Sequence, residues 1–562
     1  MLACTALVGC TNNDEPMNNG NENNGKKDNA YMAINIKVAS DAGSRAVEDG
    51  GYVAGDANEN TITAANSIFL FYDAAGKWVT SGVVTGATPN EEHESTGDHK
   101  EDDNNVNDVH GDAYVVLQAT QEQLQKIAQV LTVINYSGCD ALKRLDKDEA
   151  LAKVTSTATD PANGAAVTNG KTAGFLMTTS TYYKDGIVNT TQVTDDNIKE
   201  SPELANEAPV DIYIERAAAK VEVAANEDAY RVTPEEGNAD DKNIVVDGVL
   251  TPVYITIDGW TLNGVVENTY LSKQLIGEWG TTATAPFTGW NWAENHRSYW
   301  AKSTNWESDE TLTYHAYDEA DNAAGTTPAY CYENTVNNYS LDWEEGETNH
   351  KITTVLLKAH FQTGDAEGNL DNAQNYYRYS GVYYSENEYK TLILKQLQGV
   401  YAKVTTTESS TEKADLTTDD ITLGIESNGS MAGVKFTVTL IAGSVQRVDG
   451  TTETVTAETI AAFINALPYV MTAEGFLSGA CYYQVPIEHL HAALNDNVLT
   501  GVGVVRNHWY KLNIDAVRNI GEPVYNPEKD ITNIPAVVDD YFLSVKLHVL
   551  SWHVVNQGVT LK

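Results

Sequence analysis

The sequence has few cysteines, few basic residues and no catalytic signature, and each shortage removes a class of function. Five cysteines in 562 residues cannot build a disulfide framework. Cys139, Cys331 and Cys481 stand far apart and outside any Cys-x-x-Cys spacing, so no zinc or redox centre is expected. Each reads as a small buried apolar residue, with Cys331 and Cys481 a candidate pair. Lys and Arg number 36 against 79 Asp and Glu, a formal net charge of −43. That balance speaks against nucleic acid, because neutralising phosphate needs clustered cations. There is no Gly-x-Ser-x-Gly elbow, no phosphate-cradling glycine loop with Lys and no His-Glu-x-x-His. Carboxylate pairs are too frequent for any one to stand out as an acid/base dyad. The chain is therefore read as not an enzyme, and as having no cofactor.

What the chain does have suits strands. It is 42% hydrophobic, enough to supply real cores, with 30 Tyr against 9 Phe and abundant Thr and Val, residues that favour extended backbone. Its length allows two to four domains at roughly 100–200 residues each. The class expected is mainly β.

Two alternating segments lie at opposite ends. In YFLSVKLHVLSWHVVNQGVTLK (541–562), Leu543, Val545, Leu547 and Val549 share one face, and the phase continues through Val555, Val559 and Leu561. Trp552 lies on the other, mixed face. Such alternation marks a half-buried strand. It closes its own domain, or it completes the sheet of another copy by strand addition. In YMAINIKVAS (31–40), Met32, Ile34, Ile36 and Val38 alternate in the same way. A small, polar, glycine-bearing stretch follows (41–51), the kind of exposed loop that proteases cut. Arg45 is its only basic residue.

Upstream, Leu7-Val8-Gly9-Cys10 resembles a bacterial lipobox, and Asp14 and Glu15 resemble the acidic export signal of surface lipoproteins. The apolar stretch before Cys10 is shorter than a signal core and lacks a basic start, so the initiator is expected further upstream. The Asn- and Gly-rich run to Asn29 is a tether. Between the ends, a hairpin is expected around Asp73–Gly76, a short helix near 121–129, and strands at VLTVINYSG, GFLMTTSTYY and VDIYIERAAAKVEVAA. In the second half, strands are expected at VYITIDGWTLNG, TTVLLKAHF, GACYYQVPI and GVVRNHWYKLNIDAV. The loop 91–112 holds His93, His99 and His110 among carboxylates. Its spacing matches no metal motif, so no metal is expected. The aromatic-rich region 279–343 reads as packing over a sandwich edge, or as a sugar-binding surface.

The architecture expected is two β-sandwich domains, split near 226–241. The divisions are a truncated signal (1–10), a tether and first strand (11–45), sandwich domains at 46–232 and 233–535, and a terminal strand (536–562).

LVGC, the Ser44-Arg45-Ala46 loop, VLTVINYSG, GFLMTTS, IERAAAKVEV, TYLSK, CYENT, CYYQVPI, GVVRNHWYKLNI and VKLHVLSWHVV together resemble the major fimbrial subunits of Bacteroidales, especially the Mfa1-type fimbrillins among the type V pilins. The resemblance spans nearly the whole mature chain in scattered blocks. It implies transthyretin-like sandwiches, export as an outer-membrane lipoprotein lipidated on Cys10, cleavage between Arg45 and Ala46, and head-to-tail polymerisation into a fimbria that supports adhesion and biofilm formation. The polymerising strand would be Leu543, Val545, Leu547, Val549, Trp552 and Val555. It would replace a displaced first strand of Met32, Ile34, Ile36 and Val38. Partners implied are other copies of the chain, accessory fimbrial subunits and, before processing, the outer membrane. The loop 91–112 has no counterpart in that pattern. A tip or anchor accessory subunit, or a sugar-binding surface lipoprotein, would share the export signal and sandwiches with less need of an alternating tail.

Overall fold

The computed structural model describes residues 28–38, 52–53, 59, 66–89, 109–156, 175–183, 186–199, 202–205, 207–233, 244–275, 301–306, 312–335, 339–340, 352–441, 444–451, 455–495, 498–532 and 552–561. Seven strands carry the argument: β1 (Asp28–Val38), β2 (Tyr52–Val53), β3 (Val109–Ala119), β4 (Val210–Arg216), β5 (Ala218–Ala225), β6 (His508–Val517) and β7 (Trp552–Leu561).

The first domain is an eight-stranded sheet in the order Thr191–Gln192, Gln129–Ile134, Ile68–Tyr72, Trp78–Pro89, β3, β1, β4, Met177–Thr179. Gln129–Ile134 also pairs with Met177–Thr179, so the sheet folds over on itself. Its two layers close on a core that includes Met32, Phe69, Phe71, Val115, Leu117, Ile212 and Ile214. Ile68–Tyr72 is buried on both faces, which is why it reads as an unbroken apolar run rather than an alternating one. Its second face packs with the short helices Cys139–Leu142 and Lys147–Leu151 and with Val266, Leu271, Leu312 and Tyr332 of the second domain. The expected hairpin forms there, with Gly76 at φ 80°, in the left-handed region open to glycine.

The second domain packs two five-stranded sheets face to face. One runs β2, β7, β6, β5, Ala329–Tyr332; the other runs Tyr230–Arg231, Val253–Asn263, Thr354–Thr363, Ala480–Pro486, Glu522–Pro523. Alternate residues meet between them: Ala219, Val221 and Val223 with Tyr510, Leu512 and Ile514 on one side, and Val355, Leu357, Ala359 and Phe361 with Tyr483 and Val485 on the other. This is the period-2 pattern of a sandwich.

The chain changes sheets at Ala217, nine residues before the expected split begins (226 − 217). IERAAAKVEV therefore contributes to two domains. The crossing is made by small buried residues, Ala217, Ala218 and Ala219, which let the two sheets approach closely. Tyr52–Val53 likewise belongs to the second sandwich, although 46–232 was expected to be one domain. A further module, absent from the sequence reading, lies between Val382–Ser385 and Glu474–Phe476. It holds the helices Glu386–Gln398 and Ala457–Asn465 and small antiparallel sheets around Tyr389, Ile393, Leu397, Phe436, Ile460 and Ile464. Of 279–343, the described parts pack inward through Trp306, Tyr317 and Tyr332.

Candidate functional site

β1 lies in the interior of the first sheet. β3 runs antiparallel to it along its whole 11-residue length, and β4 runs parallel from Ile34↔Val210 to Val38↔Ile214. Met32 is fully buried. Ile34, Ile36 and Val38 take register positions opposite Val210, Ile212 and Ile214, and those three partners are core residues. An interior strand satisfies a row of amides and carbonyls on each neighbour. Withdrawing β1 would leave two unpaired edges across a gap roughly 10 Å wide, twice the interstrand spacing. Every other strand of that sheet follows Arg45 in sequence.

β7 mirrors this arrangement in the second domain. It runs parallel to β6 from His508↔His553 to Val517↔Leu561, with a bulge between Ile514 and Ala516, and antiparallel to β2 at Tyr52↔His553 and Val53↔Trp552. Val555, Gln557 and Val559 take register positions opposite the buried Tyr510, Leu512 and Ile514. Both terminal strands thus sit between one parallel and one antiparallel neighbour. Cys10, Arg45, Ala46, Leu543, Val545, Leu547 and Val549 lie outside the described residues, as do His93 and His99. His110 falls in β3, opposite Lys37.

Glu59 is 3% exposed. Its carboxylate meets Lys220 Nζ of β5 at 2.8 Å and accepts the Tyr330 hydroxyl at 2.5 Å, and its backbone carbonyl accepts Arg216 Nε at 3.1 Å. Burial alone would raise its pKa, but the charges of Lys220 and Arg216 outweigh that and hold it below the usual carboxylate range. Lys220 also stands 4.0 Å from the centroid of the Trp509 ring, a cation–π contact.

The block RNHWY, prominent in the sequence, braces the second domain and reaches the first through Asn507. Arg506 is fully buried, paired with Glu333 at 3.2 Å and donating to the carbonyls of Tyr270 and Leu271. Asn507 takes φ 59°, a left-handed conformation Asn tolerates, and its Oδ1 accepts Arg216 Nη1 at 2.9 Å. Tyr510 OH accepts the Val505 amide and contacts His489 Nδ1 at 2.7 Å. A third buried pair joins Lys273 to Glu215 at 2.8 Å, both side chains 0% exposed. Sequence reasoning missed these ions, since isolated Glu, Lys and Arg carry no periodic signal in so acidic a chain. The one clue was Arg and Lys standing inside otherwise apolar strand patterns.

Cys331 and Cys481 are free thiols in opposite sheets of one core, in place of the pair considered above. Burial pushes Cys331 up to about 12 and Cys481 well above its ordinary value, so both act as apolar filler.

Residues 474–558 match the family described as major fimbrial subunit protein type IV, fimbrillin, C-terminal. The match runs from the strand Glu474–Phe476 through β6 and into β7. No curated protein matches the chain. A candidate cell adhesion protein from Parabacteroides distasonis is 13% identical, with 59% of this chain and 75% of that one covered and a TM-score of 0.28. Another, from Bacteroides eggerthii, is 10% identical over 64% of this chain and 86% of that one, with a TM-score of 0.25.

Proposed function

We propose that this chain, whose C-terminal region is that of the fimbrillin family, is a structural subunit of a cell-surface fimbria, of the Mfa1 type, that serves adhesion and biofilm formation. It is exported as a lipoprotein lipidated on Cys10, cut between Arg45 and Ala46, and polymerised when the C-terminal strand of one copy fills the lane that β1 leaves in the next. One observation carries this reading: β1, upstream of the cut, is an interior strand with one parallel and one antiparallel neighbour, the same pairing that β7 has at the other end. A strand moving from the second arrangement to the first keeps its ladder geometry.

The side chains of Val545, Leu547 and Val549, buried in the next copy at roughly 1.5–3 kcal/mol each, would supply about 5–9 kcal/mol before ordering costs. Ladder hydrogen bonds add modestly, since water is given up in exchange. Deleting 541–562, or changing Leu547 and Val549 to Asp, should leave a folded monomer that forms no polymer by size-exclusion chromatography or negative-stain microscopy. β6 keeps β5 as its other neighbour in the deletion, so the sandwich should survive. If the deletion unfolds the second domain, or if the variants polymerise normally, the reading is wrong. Edman sequencing of surface polymer should begin at Ala46, and a start upstream of Tyr31 would remove the processing step.

A further inference from the structure

We propose that the junction between the two domains is a load-bearing joint: tension along a fimbria crosses this chain through two parallel strand ladders in series, each pulled lengthwise. The inference rests on the strand-transfer reading and adds a mechanical function to it.

A strand ladder resists force according to where its strands are held. Pulled from opposite ends, all of its pairs take the load together; pulled from the same end, they open one at a time. In a parallel ladder, a pull on the N-terminal end of one strand and the C-terminal end of its neighbour gives the first case. An antiparallel ladder pulled in that way gives the second.

The path through this chain is parallel at both steps. A C-terminal strand seated in the β1 lane is pulled from its N-terminal end, because that end leads back to its own subunit. It takes the polarity of β1 and so lies parallel to β4, as β1 does. β4 is pulled from its C-terminal end, where one residue, Ala217, joins it to β5. β5 is then pulled from its N-terminal end, and it runs parallel to β6 over six register pairs, Lys220↔Trp509 to Ala225↔Ile514. The chain leaves β6 at its C-terminal end, toward the next copy. Between Val517 and residue 532 it forms the two-residue strand Glu522–Pro523, so β6 is the first long ladder met from that side. Parallel pairs are the minority in sheets, and here two of them lie end to end on the covalent path from lane to tail.

Loading stays lengthwise only while the crossing cannot swing, and the crossing is braced. Arg216 donates from its backbone N and from Nη1 to Asn507 Oδ1 at 3.3 and 2.9 Å, and Asn507 N donates back to the Ala218 carbonyl at 2.7 Å. Asn507 directly precedes β6, so these bonds tie the end of β4 to the start of the second ladder. Ala217 N donates to the Leu176 carbonyl at 2.8 Å, and the fully buried Lys273–Glu215 pair holds the residue before Arg216. Parting that pair leaves two charges unpaired in a buried interface. The β5–β6 ladder is itself stapled across its strands. Lys220 and Lys511 stand 4.0 and 3.9 Å from the centroid of the Trp509 ring, and Lys511 meets Glu222, its register partner, at 3.9 Å. Val221, Val223, Tyr510 and Leu512 pack into the core. A lengthwise pull must shear all of these cross-strand pairs at once.

The test pulls single molecules of the uncut full chain by handles on introduced thiols. Cys4, Cys10 and Cys139 are changed to Ser, and Cys331 and Cys481 stay, being buried. Glu207→Cys with Asp515→Cys loads the β5–β6 ladder lengthwise. Glu227→Cys with Asp515→Cys loads the same ladder from one end, beside its last pair. All three positions are exposed. The first pair of handles should need a severalfold higher force than the second, because forced unfolding follows the barrier of the step that is loaded. Arg216→Met removes the bonds to Asn507 and should lower the lengthwise force toward the one-ended value. Equal forces in the two geometries overturn the joint, and so does a folded Arg216→Met chain that keeps the unaltered lengthwise force. If Arg216→Met does not fold, the comparison of geometries decides alone. High lengthwise force in a chain that after cleavage never polymerises would support the joint and refute strand transfer. Polymers built by strand transfer from a chain with equal forces would do the reverse.

Discussion

Met32 is the residue by which the hold on β1 can be measured. It is fully buried among Val115, Leu117 and Ile212, so Met32→Ala opens a cavity that the paired neighbours β3 and β4 cannot close. Such truncations cost about 2–5 kcal/mol. In the intact chain that loss should appear in the stability of the first domain, read by urea unfolding. Once the chain is cut after Arg45, β1 is held by non-covalent contacts, and the same loss becomes a loss of affinity. At about 1.4 kcal/mol per factor of ten, the cut fragment should leave roughly 30-fold to several-thousand-fold more readily. The assay is gel filtration of the cut chain at successive times, with mass spectrometry of the fragment that separates. If Met32→Ala is cut, stays folded and keeps the fragment as long as the unaltered chain does, then β1 is not held by its core face and the vacant lane is not made in this way.

Lys273→Ala strands Glu215 unpaired in the domain interface and should cost about 3–5 kcal/mol in chemical unfolding, whereas Lys273→Met with Glu215→Leu should recover most of it; an unaffected single variant would show that the pair is not buried in solution. Thiol reagents should leave Cys331 and Cys481 unlabelled until denaturant is added, because both are fully buried; rapid native labelling of either would mean that the second sandwich opens. The Asp258 hydrogen bond raises the pKa of His360 above 6.5. Its contribution to stability is therefore full below 6.5 and lost as pH rises through the folded value, and an NMR titration midpoint at or below 6.5 would contradict this.

Strand alternation is a local property, and it was legible. Strands form at 28–38 and 552–561, where the two-residue period put them, and Met32 is buried as that period implies, because a strand exposes its burial pattern in its own sequence. The class, the sandwich of the second domain and the hairpin at Gly76 followed from the same signal. Burial of Ile68–Tyr72 on both faces was not legible, since one face is covered by helices and by a domain far away in sequence. The break at Ala217 was hidden for a related reason: Ile214 to Val223 reads as one continuous strand, and only the position of two different sheets divides it. Nor could composition show that Glu59, Lys220 and Arg216 would meet, because 157 and 161 residues separate Glu59 from its partners and no periodicity links them. The sequence by itself determined that the two end segments and the main sandwich segments are strands. Tertiary structure alone decided which strands neighbour each other, and so placed β1 between two partners and β7 beside β2, because ladder pairing between distant strands depends on how the sheets close and not on any residue within them.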